Sequence, residues 1–308
     1  MKWKKKGLLY APEKIHWWNQ LYAILPTPVY IESENIIRVY FSTTCKDRHG
    51  RVTYIDLNAD NPSEIIYKHD DYILDIGEIG AFDDCGVNVS SVVPYKDRML
   101  MFYAGYQRHY KVPYSILTGL AISKDGFSFS KNSKVPLWER TNEELNIRSA
   151  PTVLIENGRF RAWYVAGIRW ENIGGVHKNK LLPTYRIRYA ESENGTNWIF
   201  GKSEVIKLEN DEFGFGRPYI HKRNNVYQLF YSVRRHSTSY RIGYAESVDG
   251  NNWHRKDKEI GIDISNEGWD SEMICYPAVI YVKGSTYLFY NGNNNGETGF
   301  GYAKLIED

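Results

Sequence analysis

The residues of this sequence best equipped for chemistry are three arginines and two pairs of carboxylates. Arg148 stands in Arg148-Ser149-Ala150-Pro151, Arg217 in Gly216-Arg217-Pro218, and Arg234 in Arg234-Arg235-His236. A guanidinium presents a planar fork of N–H donors that matches the oxygens of a carboxylate or phosphate. If these arginines stay unpaired, they call for an anionic ligand. If they pair with Asp83, Asp84, Asp270 or Glu272, they are structural. Asp83 and Asp84 are adjacent, so on a strand they point to opposite faces. We take Asp84 as the ligand-facing member; the alternative is that both cap backbone N–H groups in a turn. Asp270 and Glu272 have the same parity and could share a face; the alternative is a salt bridge to an arginine.

These residues must be held by an organised scaffold, and the sequence repeats. Gly243-Tyr244-Ala245-Glu246-Ser247-Val248-Asp249-Gly250-Asn251-Asn252-Trp253 is echoed by Tyr189-Ala190-Glu191-Ser192-Glu193-Asn194-Gly195-Thr196-Asn197-Trp198. Gly119 to Phe129 is a third copy and Gly301-Tyr302-Ala303-Lys304 a truncated fourth. Each reads as a strand, a tight turn at Asp-Gly or Asn-Gly, and an aromatic opening the next strand. Around each copy lie an apolar strand often opened by Pro, a polar turn and an aromatic-rich strand, as in Tyr276-Pro277-Ala278-Val279-Ile280 followed by Tyr287-Leu288-Phe289-Tyr290. Recurring Glu191 and Glu246 therefore read as structural. Five such four-stranded units predict an all-β chain, a five-bladed β-propeller forming a single domain over residues 1–308. The last unit lacks a strand after Leu305, and Gly7-Leu8-Leu9-Tyr10 is predicted to complete it and close the ring. In that geometry the loops before each inner strand and those between second and third strands share one face. Arg148, Arg217, Arg234, both carboxylate pairs, His16, Trp17, Asn19, Tyr106, Trp170 and Asn291 all fall there.

Bulk properties narrow the partners. The chain has 308 residues, 25 tyrosines and 9 tryptophans, and a formal net charge of +2. That charge implies no nucleic acid or other bulk polyanion. No apolar run follows the basic N-terminal Met1-Lys2-Trp3-Lys4-Lys5-Lys6; we expect no signal peptide and no membrane span. Three cysteines, Cys45, Cys85 and Cys275, show no metal-type spacing, and a reduced, cytoplasmic protein is the expectation. His16, His109, His177 and His236 form no recognisable ligand cluster, so no metal and no cofactor are predicted. Nothing in the sequence sets an oligomeric state.

The repeat grammar resembles the five-bladed propellers of glycoside hydrolase families 32, 43, 68, 117 and 130, over essentially the whole chain. More narrowly, Phe82-Asp83-Asp84 with Gly86-Val87, Arg148-Ser149-Ala150-Pro151, Gly216-Arg217-Pro218 and Gly268-Trp269-Asp270-Ser271-Glu272-Met273 resemble family-43-like proteins of bacterial surface polysaccharide loci. The resemblance implies a carbohydrate-active enzyme that cleaves or transfers a glycosyl group, acting as hydrolase, phosphorylase or glycosyltransferase. A carboxylic acid would protonate the leaving oxygen and a carboxylate would activate water, roughly 6.5–9.5 Å apart in an inverting enzyme. Asp84 and Glu272 lead as that pair, with Asp83 and Asp270 beside them. Family 43 also places acids before the first and third inner strands, where this chain has His16, Asn19 and Arg148. A non-catalytic sugar-binding propeller is therefore the alternative. With the arginines, the expected ligand is an acidic sugar, a sugar phosphate or a nucleotide-sugar. Trp17, Trp18, Tyr106 and Trp170 would stack on it or pack in the blades, and His16, Asn19 and Asn291 would hydrogen-bond it.

Overall fold

In the computed structural model, which describes residues 1–307, the chain is built almost wholly of β-strands. The strands fall into groups of four consecutive antiparallel neighbours. The N-terminal strand β1 (Lys2–Tyr10) precedes the first group, β2 (Leu21–Ile31), β3 (Ile36–Thr44), β4 (Gly50–Asn58) and β5 (Ile65–Lys68). The second is β6 (Gly86–Tyr95), β7 (Arg98–Arg108), β8 (Tyr114–Ser123) and β9 (Ser130–Lys131). The third is β10 (Ile147–Glu156), β11 (Arg159–Ile173), β12 (Lys180–Ser192) and β13 (Trp198–Glu204). The fourth is β14 (Glu212–Arg223), β15 (Val226–Arg235), β16 (Arg241–Ser247) and β17 (His254–Arg255). The last is β18 (Cys275–Val282), β19 (Ser285–Asn291) and β20 (Phe300–Glu307), with β1 lying antiparallel on β20. Leu8 stands opposite Gly301, and the pairing starts at Lys2. Short parallel contacts, Gly50 with Gly86 and Ile147 with Ile116, join the first three groups into one twelve-stranded sheet.

The repeated hairpins explain why this sequence folds so. Ser123, Ser192 and Ser247 each accept the N–H of the turn glycine, Gly126, Gly195 and Gly250, at 2.8–2.9 Å. Those glycines have φ of +74°, +79° and +77°, a region an L-residue rarely adopts. Asp125, Asn194 and Asp249 then accept the next two N–H groups, an Asx turn. Trp198 and Trp253 return their indole N–H to the glycine carbonyls.

Neighbouring groups are joined by their first strands. β2 packs on β6, β6 on β10, β10 on β14, β14 on β18, and β18 on β2. A side-chain oxygen of each group accepts a backbone N–H from the next first strand: Ser42 from Val89, Ser91 from Val153, Thr152 from Ile220, Ser232 from Tyr276, and Asn291 from Leu25. The last of these returns to the first group. Aromatic side chains fill the space between groups. Among the described residues, no helix is long and apolar enough to cross a membrane.

Candidate functional site at the mouth of the inner strands

The first strands share a kink. β2, β10, β14 and β18 each shift register at a residue that precedes proline: Leu25-Pro26, Ala150-Pro151, Arg217-Pro218 and Tyr276-Pro277. Those residues have φ of +61°, +52°, +42° and +53°. This left-handed geometry is costly for non-glycine residues, and a proline behind it restricts the backbone further. Bulges re-aim side chains. At Arg217 the result is clear: its Nη2 donates to the Thr27 hydroxyl at 3.0 Å and the Pro26 carbonyl at 3.3 Å, reaching from the fourth group to the first.

Arg217 is 2% exposed, and its Nε and Nη1 meet no protein acceptor. Among the described residues no carboxylate pairs with it. Burial pulls its pKa down to about 10, and the nearby groups are phenols and a thiol, Tyr219, Tyr276 and Cys275. Arg234 is 6% exposed and equally lacks an acid partner among the described residues. Its guanidinium is held between the rings of Tyr185 (4.7 Å) and Phe213 (4.5 Å), with Tyr240 at 5.8 Å. Nη1 donates to the Pro183 carbonyl at 2.7 Å, while Nε meets no protein acceptor.

Tyrosines surround this arginine. Tyr106 and Tyr114 pack at 5.2 Å, Tyr114 and Trp170 at 5.1 Å, and Tyr240 and Tyr276 at 5.9 Å. The Tyr114 and Tyr185 hydroxyls are 3.4 Å apart. Burial raises the phenol pKa values of Tyr106, Tyr185 and Tyr276, and that of Tyr240 to about 12. At neutral pH all four therefore keep their protons and can donate. Tyr106, Tyr114, Tyr240 and Tyr276 are nonetheless partly exposed. The arrangement is a set of donors around two buried positive charges.

Asp83 and Asp270 lie elsewhere in the chemistry. Asp83 is 1% exposed and accepts the Tyr103 hydroxyl at 3.0 Å, with Lys131 Nζ at 2.6 Å. Asp270, also 1% exposed, accepts Tyr290 at 2.9 Å and Lys5 at 2.7 Å. The same trio recurs in the third group, where Glu144 takes Tyr164 (2.9 Å), Arg148 (2.8 Å) and Arg188 (2.7 Å). In the fourth, Asp257 takes Tyr231 and Arg255. Each tyrosine follows an aromatic residue on the second strand. The first group reverses that order as Tyr40-Phe41, loses the hydroxyl at this place, and has no acid there. Arg148 thus has an internal partner, and its guanidinium also lies 3.4 Å over the Phe200 ring.

The remaining expected residues separate further. Asp84 accepts the Gly80 N–H through Oδ2, and its buried Oδ1 has no protein donor. Glu272 is exposed; neither it nor Asp84 forms an ion pair among the described residues. Asn19 is fixed between Tyr10 and Thr43. Asn291 is saturated by Leu25, Ala23 and Gly299. His16 stacks on the buried Trp18. Trp17, 63% exposed, lies over Arg51 (4.6 Å) and helps line a cleft of about 390 Å³ with Gln20, Lys46, Asp47 and His49. Of the expected residues, the structure gathers Arg234, Tyr106 and Trp170, with Arg217 near the adjoining Tyr276. Sequence reasoning missed Tyr114, Tyr185, Tyr240 and Tyr276. Two signals for them were present: Tyr276 precedes Pro277 as Arg217 precedes Pro218, and Tyr-Arg-Ile occurs at both 185–187 and 240–242. No group of three His, Cys, Asp or Glu side chains is placed to hold a metal among the described residues.

Comparison with known proteins fixes the relationship. No protein-family model matches the chain. Two proteins of Mycobacterium tuberculosis, "Uncharacterized protein Rv1502" and "Uncharacterized protein MT1551" from a second strain, are each 32% identical over 308 residues, 99% of either chain. The chain belongs to their family. Among solved structures, an RGII complex of BT0996 matches 98% of this chain and 90% of its own with a TM-score of 0.75 at 20% identity. A structure from work on the GH130 family of mannoside phosphorylases, which contains hydrolases targeting β-1,2 mannosidic linkages, gives 0.70 at 14% identity, covering 98% and 93%. A thermostable family-43 glycoside hydrolase gives 0.64 at 16%, covering 97% and 94%. This chain therefore shares the fold of these three structures.

Proposed function

We propose that this protein is a carbohydrate-active, single-domain five-bladed propeller, with β1 completing the last blade, that takes an anionic sugar at the mouth of its inner strands. One observation carries the reading: Arg217 and Arg234 are buried without a carboxylate among the described residues, beside phenols that donate. A buried charge is normally paired, because leaving it alone is expensive. A site that keeps two of them calls for a negative ligand. The sugar would pack on Tyr106, Tyr114 and Trp170, as rings pack on aromatic faces. The fold neighbours named as hydrolases and phosphorylases support a glycosyl substrate. If the protein turns that substrate over, Asp84 and Glu272 are the carboxylates still open for acid–base work.

A second reading, a non-catalytic sugar-binding propeller, is favoured by the ion pairs of Asp83 and Asp270. The two are separated by thermal shift across neutral sugars, acidic sugars and sugar phosphates, followed by assays of glycoside cleavage and phosphorolysis on those that bind. Stabilisation by anionic sugars with turnover lost in Asp84→Asn supports the enzyme. Stabilisation without turnover supports the binding protein. Stabilisation by neutral sugars alone removes the anion site.

A further inference from the structure

This inference rests on the anion-site reading and narrows it. We propose that the anionic group is a phosphoryl dianion, seated against Arg234 among Tyr106, Tyr240 and Tyr276, with Arg217 supplying the second positive charge.

The charge count argues first. Two buried guanidinium groups, Arg217 and Arg234, have Tyr276 as a common neighbour, and the buried acids Asp83, Asp270, Glu144 and Glu212 are already engaged. Asp83 holds Lys131, Asp270 holds Lys5, Glu144 holds Arg148 and Arg188, and Glu212 holds Arg255 and Arg235. A monocarboxylate would neutralise one of the two free cations. A phosphate monoester carries close to two negative charges at neutral pH and offers three acceptor oxygens.

The donors match those oxygens. The Arg234 guanidinium packs on the rings of Tyr185 and Phe213, which leaves its N–H groups as the means of holding an anion. Nη1 donates to the Pro183 carbonyl, and the buried Nε has no protein acceptor. Tyr240 lies near Arg234 and near the backbone that leads into Arg217. Its ring is 5.8 Å from Arg234, and a Cβ on Gly216, the residue before Arg217, would stand 3.8 Å from its hydroxyl oxygen. Tyr276 lies beside Tyr240 and near both arginines. Three protonated phenols and two guanidinium groups thus offer more donors than a single arginine fork. That suits a tetrahedral group better than a flat carboxylate, which a single arginine fork would satisfy.

Isothermal titration calorimetry of the full chain tests this, with inorganic phosphate, glucose 1-phosphate, glucuronate and glucose as probes. We expect the phosphate probes to bind about tenfold or more tightly than glucuronate, the scale set by one charge-assisted hydrogen bond. Arg234→Lys and Tyr240→Phe, which keep charge and ring respectively, should each weaken phosphate binding by about tenfold. These two variants guard against a buried Arg234→Met that does not fold. Inorganic phosphate binding as well as the ester, or the ester binding better, both support the site; the comparison identifies the free ion or the ester as its ligand. Glucuronate binding as tightly as the phosphates overturns the dianion and leaves the anion site standing. Unchanged phosphate affinity in both variants overturns the placement. If no anion binds at all, the underlying reading falls with it.

Discussion

Arg217 bridges two distant parts of the chain: its Nη2 donates to the hydroxyl of Thr27 at 3.0 Å, from the fourth strand group to the first. This contact puts a guanidinium beside the kinked first strands with two nitrogens, Nε and Nη1, unspent. Keeping it charged there is expensive: a pKa drawn from 12.5 to about 10 corresponds to roughly 3 kcal/mol.

The first prediction concerns that cost. Arg217→Met removes the buried charge and keeps most of the volume. Against the lost Thr27 contact, the ligand-free protein should be as stable as the original or more so, by up to about 2 kcal/mol. It should also lose its stabilisation by anions. Chemical denaturation with and without glucose 1-phosphate reads both. A ligand-free variant weakened by several kcal/mol would make Arg217 a structural strut instead.

Asp83 and Asp270 should behave as structural residues. Asp83→Ala leaves Lys131 and the Tyr103 hydroxyl without their partner, and Asp270→Ala does the same to Lys5 and Tyr290. Each should cost about 3 kcal/mol. The double change Asp83→Ala with Lys131→Met should recover part of the loss, since the orphaned charge goes too. Urea denaturation checks this. Single variants of normal stability would return both acids to the list of reactive groups.

Acid stability follows from the hairpins. Backbone N–H groups of Asn252 and Asn251 hold the Asp249 carboxyl below its ordinary 3.8, and those of Phe127 and Ser128, with the Ser123 hydroxyl, do so for Asp125. A carboxyl lowered in the fold stabilises above its unfolded pKa, and that contribution is lost as pH falls through the folded value. Stability from these turns is therefore complete above about pH 4 and fades below it. Asn194 performs the same Asx role without a charge. Asp249→Asn should accordingly preserve the fold at pH 7 and flatten the decline in Tm between about pH 4 and 2. An unchanged acid profile would refute the assignment.

The pairing of β1 with β20 gives a further outcome. Deleting residues 1–12 removes the strand paired with β20 and the Lys5 partner of Asp270. Thermal unfolding of the truncated chain should move to markedly lower temperature. An unaltered Tm would show that β1 contributes little.

The all-β character and the repeats were legible because hairpin chemistry is local. Ser247, Asp249 and Gly250 make their contacts within a few residues, so the pattern is visible in a line of sequence. The site was less legible because its contacts are long-range. Arg148 and Arg217 look alike beside their prolines, yet Arg148 meets Glu144 four residues earlier while Arg217 meets Thr27 across the fold. The acids before the inner strands could be seen, but their fate depends on Tyr103 and Tyr290 and on Lys131 and Lys5, which only the fold brings to them. The tyrosines around Arg234 come from four strand groups and share no single motif.

The most direct test of the central claim is calorimetric titration of the protein with glucose 1-phosphate and, under the same conditions, with glucose. The account predicts saturable binding of the phosphate ester, lost in the double variant Arg217→Met with Arg234→Lys, and much weaker binding of glucose. Equal binding of the two sugars, or an undiminished response in the double variant, would contradict it.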